Sequence, residues 1–197
     1  MTLGRARHTL LCWFGEDLLE ELLDIVAENN KVIGQEKRRI VHQSGLWHRG
    51  VHIFLFTPEH KLVIQQRSRH RKQSPGALDC SVSEHLKAGE SYLAGAMRGL
   101  EEELGIKQAP LRRLVQFKMN YGPGDNMIST LYEGTVDGEA VRPDENEIER
   151  IIYHSIREAE ELLAQGEVLC SRWFEQLLLW YVGMSSDVQV IDNPQEA

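Results

Sequence analysis

The sequence predicts a mixed α/β fold, a β-sheet sandwiched between helices. Three observations predict it. Short segments rich in β-branched and aromatic residues, such as 51–56 (VHIFLF) and 128–136, recur between turn signals. Residues 91–104 carry the helical period instead. Both kinds of segment follow one another without an internal repeat or a low-complexity linker, so residues 16–185 read as a single domain between an extension, 1–15, and a tail, 186–197.

In chain order, residues 16–25 (EDLLEELLDI) read as a short helix running into a strand. Asn29-Asn30 is a turn signal between the strand-like segments 22–27 and 31–34, which implies a hairpin. Residues 38–49 are polar and basic around Gly45. The strand at 51–56 turns at Pro58-Glu59-His60 and returns over 61–66 (KLVIQQ). A basic loop, 67–76 (RSRHRKQSPG), closes on Pro-Gly before a short strand at 78–82. After the helix at 91–104, strands at 115–120 and 128–136 pair across the turn at 121–125 (YGPGD), and a further strand covers 148–153. Residues 155–164 are helical, with Ser155 as N-cap and Glu158 completing a capping box. An apolar helix at 173–181 contributes Trp173, Phe174, Trp180 and Tyr181 to the core, and the tail reads as frayed.

Composition narrows the partners. The formal net charge is −8, and an acidic chain gains little by displacing counterions from a polynucleotide, so no nucleic-acid polymer is expected. A small anion remains compatible with that charge if a divalent cation reverses the local sign. No apolar run approaches the roughly 20 residues needed to cross a bilayer, so no membrane partner is expected. The stretch 9–14 (TLLCWF) lacks a small-residue cleavage site and does not read as a signal peptide. Cys12, Cys80 and Cys170 are odd in number and widely spaced, which fits a reducing, cytoplasmic location. The apolar residues 12–14 offer a contact for a homodimer.

The helix at 91–104 carries the chemistry. At about 100° per residue, Leu93, Met97, Leu100 and Leu104 form the expected buried stripe, and Gly95, Gly99, Glu102 and Glu103 lie on the other side. Two interior glycines cost roughly 1 kcal/mol each relative to Ala, which makes sense if something must approach the backbone. Arg98 precedes Glu102 by four residues and can orient its carboxylate. Clustered carboxylates suit Mg²⁺, a hard cation that keeps waters and substrate phosphates among its ligands.

These residues resemble the Nudix box, written G-x5-E-x7-R-E-U-x-E-E-x-G-U with U a bulky aliphatic. Glu90, Arg98, Leu100, Glu102, Glu103, Gly105 and Ile106 fall on defined positions of it. The strand pair 51–56 and 61–66, followed by SPGALDCSVSEH, is similar to what precedes the box in the isopentenyl-diphosphate-isomerase-like subgroup. Two positions depart: Glu84 stands where the family has Gly, and Gly99 where it has Glu. We read this as a reciprocal exchange, in which the Glu84 carboxylate fills the space left by the missing side chain at Gly99.

The resemblance implies a Nudix fold and an Mg²⁺-dependent (or Mn²⁺-dependent) hydrolase that cleaves a small-molecule diphosphate by attack of a metal-activated water. It implies Glu102 and Glu103 as primary metal ligands, with Glu90 and Glu84 supporting and Arg98 clamping the carboxylates. Glu84 and Glu147 (in DENEIE) both offer a catalytic base, although the acidic run around Glu147 also reads as a solvated loop. Arg67, Arg69, Arg71 and Lys72 can receive phosphates, and His85 can contact phosphate or metal. Trp47, His48 and Arg49 read as a lid or a substrate contact, with packing the favoured reading for Trp47, and Tyr121 as a stacking residue or a turn filler. Isomerase chemistry is disfavoured, because Ser83 and Met127 occupy the positions of the isomerase Cys and Glu. Cys80 is expected to face away from the site by strand parity. The alternative to a hydrolase is a non-catalytic Nudix module that binds a ligand.

Overall fold

The structure is a computed structural model that describes residues 20–166 and 168–192. The predicted extension and residues 16–19, the start of the segment read as a short helix running into a strand, lie outside the described residues. Strands β1 (Leu22–Val26) and β2 (Val32–Lys37) form the expected hairpin, with Asn30 at a left-handed φ of 63° in its turn. Helix α1 (Arg38–Ser44) follows directly and ends where Gly45 adopts the left-handed conformation. The sequence reading missed it, because seven mostly polar residues carry too little period to signal a helix.

Strand β3 (His48–Phe56) organises the sheet. It runs parallel to β8 (Asn126–Thr135) along its whole length. Its other edge is shared by three strands: β1 at His48, β6 (Val82–His85) from Gly50 to Ile53, and β4 (Leu62–Arg67) at Phe56 alone. The expected return of 61–66 along β3 therefore fails after one pair. Instead β4 diverges to pair with β9 (Ile148–His154) and with β5 (Leu78–Asp79). The expected strand at 78–82 is likewise two pieces, β5 and β6, broken at Cys80-Ser81.

Helix α2 (Tyr92–Leu104) lies over one face of this sheet, and strand β7 (Leu111–Asn120) pairs with β8 across the predicted turn. Helices α3 (Ile156–Gln165) and α4 (Arg172–Tyr181) cover the opposite face, and the Ser155–Glu158 capping box is formed. Residues expected to fray form strand β10 (Gln189–Asp192), antiparallel to β7. Two cores result. Val51, Ile53, Leu55, Val82, Leu100 and Leu104 pack under α2, while Phe54, Leu131, Phe117, Trp173, Phe174 and Leu177 pack under α3 and α4. Alternation along β3 sends Val51 and Ile53 to one face and His48 and His52 to the other.

Candidate active site

The helix wheel placed the buried stripe of α2 only in part: Leu100 and Leu104 are buried and Met97 packs against the core. Leu93 is exposed, and the buried positions are Gly95, Ala96, Gly99, Leu100, Glu103 and Leu104. Glu103, expected opposite the buried face, is 3% exposed and points at the sheet. There Gln65 donates to its carboxylate at 2.9 Å and the Ser83 amide at 3.3 Å. Polar partners on the sheet outweigh the apolar count of the helix, because a carboxylate among donors is tolerated where one among alkyl groups is not.

The glycines explain how the helix comes so close. A Cβ on Gly95 would lie 3.2 Å from the Leu86 side chain. A Cβ on Gly99 would lie 2.7 Å from Val82 Cγ1 and 2.9 Å from Glu84 Cγ. Close approach to the backbone was expected, and the groups that make it are side chains of this chain. The Glu84 side chain occupies the room that a side chain at position 99 would need.

Glu84, Glu103 and Glu147 converge, with one carboxylate oxygen from each lying within 4.8 Å of the others. Glu147, offered as a base but also read as part of a solvated loop, thus belongs to this cluster: it directly precedes β9, and Ser68 N–H holds its carbonyl at 2.8 Å. Burial, reinforced by the neighbouring carboxylates, pushes the Glu84 and Glu103 acids up, Glu103 strongly. Concentrated, desolvated negative charge of this kind is the setting in which a divalent cation is favoured.

Arg98 is the clamp. Its guanidinium donates to Glu84 Oε2 at 2.8 Å, to Glu102 Oε2 at 2.8 Å, to both Glu90 oxygens at 3.0 and 3.1 Å, and to the His85 carbonyl at 2.7 Å. Desolvation opposes a charged Glu90, yet Arg98 and the Lys87 amide hold its acid below the usual value. Glu90 and Glu102 are both held by Arg98, and neither belongs to the group of Glu84, Glu103 and Glu147. Glu102 is half exposed, with Lys87 Nζ 3.6 Å away, and the structure does not bring it to Glu103. Adjacent helical positions diverge by about 100°, so only one of the two can face the sheet.

A second cluster was not anticipated. His42 on α1, His48 on β3, His85 on β6 and Asp125 before β8 present one ligand atom each within 4.8 Å of one another. His48 Nδ1 donates to the Leu46 carbonyl at 3.0 Å, which leaves its Nε2 with a lone pair. The Nε2 atoms of His42, His48 and His85 and Asp125 Oδ1 are buried, and none hydrogen-bonds to a described residue. Burial keeps the imidazoles neutral: the His48 pKa falls to about 4, and those of His42 and His85 fall too. Converging neutral imidazoles with one carboxylate have the chemistry of a borderline transition-metal site. A signal was present in the spacing of His42 and His48 about Gly45, but it spans a helix end and a strand start that the sequence did not reveal. The sequence offers His48 only as a lid residue or a substrate contact. The neighbouring Arg49 is structural, bonded to Asn30.

Because β6 alternates, Ser83 and His85 face the histidine side while Glu84 faces α2. Both sets nevertheless border one open pocket, Glu84 from the first and His85 and Asp125 from the second, lined also by Arg38, His52, Arg67, Arg71, Gln73, Tyr121, Met127 and Trp173. Asp79 anchors its floor. Its carboxylate accepts from Arg67 at 2.7 Å, Ser83 at 3.0 Å, Ser171 at 3.1 Å and the Trp173 indole. Since the Ser83 proton goes to Asp79, His52 Nδ1, 3.1 Å away, donates to Ser83 and His52 Nε2 accepts from Tyr121 at 2.8 Å. Tyr121 is thus a pocket wall fixed by hydrogen bonds. Cys80, expected to face away, belongs to the same core as Tyr121 and Trp173 and contacts the Ser83 hydroxyl. Parity failed there because the chain breaks between β5 and β6.

The basic loop divides in two. Arg67 is buried on Asp79 and over the Trp173 ring, and Arg71 lines the pocket. Lys72 sits outside it, along an outer groove with Arg38, Arg39, His70 and Gln73.

With the geometry in place, three comparisons bear on its origin. The family model of the NUDIX domain matches residues 46–174. The chain is 35% identical over 144 residues to an uncharacterised Nudix hydrolase of Streptomyces coelicolor, covering 73% of this chain and 77% of that one. It is 35% identical over 125 residues to the isopentenyl-diphosphate Delta-isomerase of Serratia proteamaculans, covering 61% of this chain and 69% of the isomerase. Among solved structures, DR0079 from Deinococcus radiodurans superposes with a TM-score of 0.68 at 26% identity, over 80% of this chain and 97% of its own.

Proposed function

The chain belongs to the Nudix family, and on that premise we propose that it is a divalent-cation-dependent hydrolase of a small X-linked diphosphate. The observation that carries the reading is the convergence of Glu84, Glu103 and Glu147 beside a pocket bordered by Arg71. The donors fit a hard cation, since they are all carboxylate oxygens and two of them are acids made weak by burial. A cation bound there supplies charge neutralisation and a water of lowered pKa. Glu84, in place of the box Glu absent at Gly99, completes the ligand set from β6. Arg98 fixes the direction of the Glu84 carboxylate, and Gln65 that of Glu103. Glu90 and Glu102 act through Arg98, as its counter-charges. The histidine cluster offers a second cation site on the same pocket.

The isomerase among the relatives raises carbon acid–base chemistry as the competing reading. Ser83 and Met127 both line the pocket. The Ser83 hydroxyl is committed to Asp79 and accepts from Trp173 at 3.1 Å, and a thioether carries no proton. Neither exchanges protons with carbon at the pKa such chemistry needs. Hydrolysis is the better fit.

The test is release of phosphate or nucleotide with Mg²⁺ across nucleoside diphosphates, dinucleotides, nucleotide sugars and prenyl diphosphates, for the native chain and Glu103→Gln. Turnover abolished by Glu103→Gln supports the proposal. No turnover on any class, with retained ligand binding, identifies a binding module instead.

A further inference from the structure

Arg71 and Glu147 stand on segments that the main chain fastens together. The Ser68 amide donates to the Glu147 carbonyl at 2.8 Å, and the Arg71 amide to the Ser68 carbonyl at 3.1 Å. The contact of 2.6 Å between Arg71 Nη1 and Glu147 Oε1 is laid over that frame. Both side chains keep about a third of their surface in solvent, 32% each. They have room to change partners while the backbone stays in place.

Glu147 is contested by two cations. One is the Arg71 guanidinium that it holds. The other is the divalent ion for which Glu84, Glu103 and Glu147 converge. A carboxylate bound to such an ion attracts a guanidinium less, because the ion offsets its charge, and a guanidinium left beside the ion meets like charge. Arg71 also borders the pocket, where phosphate oxygens offer its planar fork a bidentate partner.

Resting on the hydrolase reading above, we propose that Glu147 holds Arg71 away from the substrate until a divalent cation occupies the carboxylate site, and that the released Arg71 then binds the diphosphate. The contribution of Arg71 to anion binding is therefore conditional on the cation. By linkage, the anion strengthens cation binding by the same factor. Arg69 provides an internal control. It lies on the same loop, well exposed, and pairs with Glu149, which is outside the trio.

The experiment is calorimetric binding of methylenediphosphonate to the full chain, with and without Mg²⁺. With saturating Mg²⁺, Arg71→Gln weakens binding about tenfold, and without Mg²⁺ by less than about twofold. In a Glu147→Gln background, Arg71→Gln weakens binding about tenfold even without Mg²⁺. An equal effect of Arg71→Gln in both conditions overturns the proposal, as does the same pattern from Arg69→Gln. Mn²⁺ binding, followed by loss of the free-ion paramagnetic signal, separates the two levels. If Glu103→Gln removes a Mn²⁺ site but the Arg71 pattern is absent, the gating is wrong and the carboxylate centre stands. If Glu103→Gln removes no Mn²⁺ site, the centre and the gating fall together.

Discussion

Glu84 lies across the bare Cα of Gly99, its Cγ 2.9 Å from the point where a Cβ on residue 99 would stand. A carboxylate that the family's box carries on the helix reaches the site here from the neighbouring strand. The space holds one side chain, so the Glu84 side chain and a side chain at position 99 exclude each other.

That relationship predicts how the pair responds to mutation. Gly99→Glu alone forces overlap with Val82 and Glu84 and lowers unfolding stability by about 1–3 kcal/mol in urea denaturation. The paired change, Glu84→Gly with Gly99→Glu, recovers most of that loss and returns Mg²⁺-dependent hydrolysis to within about tenfold of the native rate. If the double variant is no better than Gly99→Glu alone, the two positions do not share one space.

Glu103 is predicted to be costly to fold and necessary to function. Glu103→Gln keeps the size and the hydrogen bonding to the Ser83 amide while removing a buried charge. Hydrolysis falls about 100-fold or more, while the metal-free protein is as stable as the native chain or more so. The sign follows from the raised acid. A carboxyl whose folded pKa exceeds its unfolded value stabilises below the unfolded pKa and loses that contribution as pH rises through the folded value. The stability advantage of Glu103→Gln over the native chain therefore grows as pH rises above the unfolded carboxyl value of about 4.3, and Mg²⁺ abolishes it. Thermal melts at several pH values check both statements, and an advantage that shrinks with pH contradicts them.

His52 works in the other direction. Burial lowers its pKa to about 3, so it folds as the neutral imidazole between Ser83 and Tyr121. Its contribution is present above the unfolded value of about 6.5 and is lost as pH falls towards the folded value. In His52→Gln, which cannot ionise, acid loss of stability below about pH 6.5 is shallower than in the native chain. Parallel acid limbs for the two proteins would show that other groups control it.

The histidine cluster predicts a spectroscopic signature independent of catalysis. Co²⁺ added to the metal-free protein acquires visible d–d absorption from imidazole ligands. His48→Ala or His85→Ala removes that absorption, whereas Glu103→Gln leaves it in place. Absorption that survives both histidine changes places the ion elsewhere.

Arg98 is expected to resist conservative replacement. Its planar fork joins Glu84, Glu90, Glu102 and the His85 carbonyl, and an ammonium cannot span them. Arg98→Lys lowers kcat about tenfold or more with little change in KM, since it loosens ligands and not the substrate contacts. An unchanged kcat would show that Glu84 needs no clamp.

The sequence by itself determined the alternation of strands and helices, the helix at 91–104, the capping box at Ser155 and the family. Each is set by residues close along the chain, where periodicity, caps and turn residues act directly. It also located the exchange between Glu84 and Gly99, because both positions belong to one spaced motif. Only the tertiary structure decided which carboxylates meet. Glu103 turns inward because Gln65 and the Ser83 amide lie on the sheet beneath it, against the apolar count that favoured Leu93. Glu147 joins from the turn before β9, and His42, His48, His85 and Asp125 gather from four separate segments. β4 leaves β3 after one residue pair, and that divergence brings Gln65 and β9 to the site. A ligand set is a set of distances, and distances between remote segments are fixed by sheet pairing and burial, which no local window of residues contains.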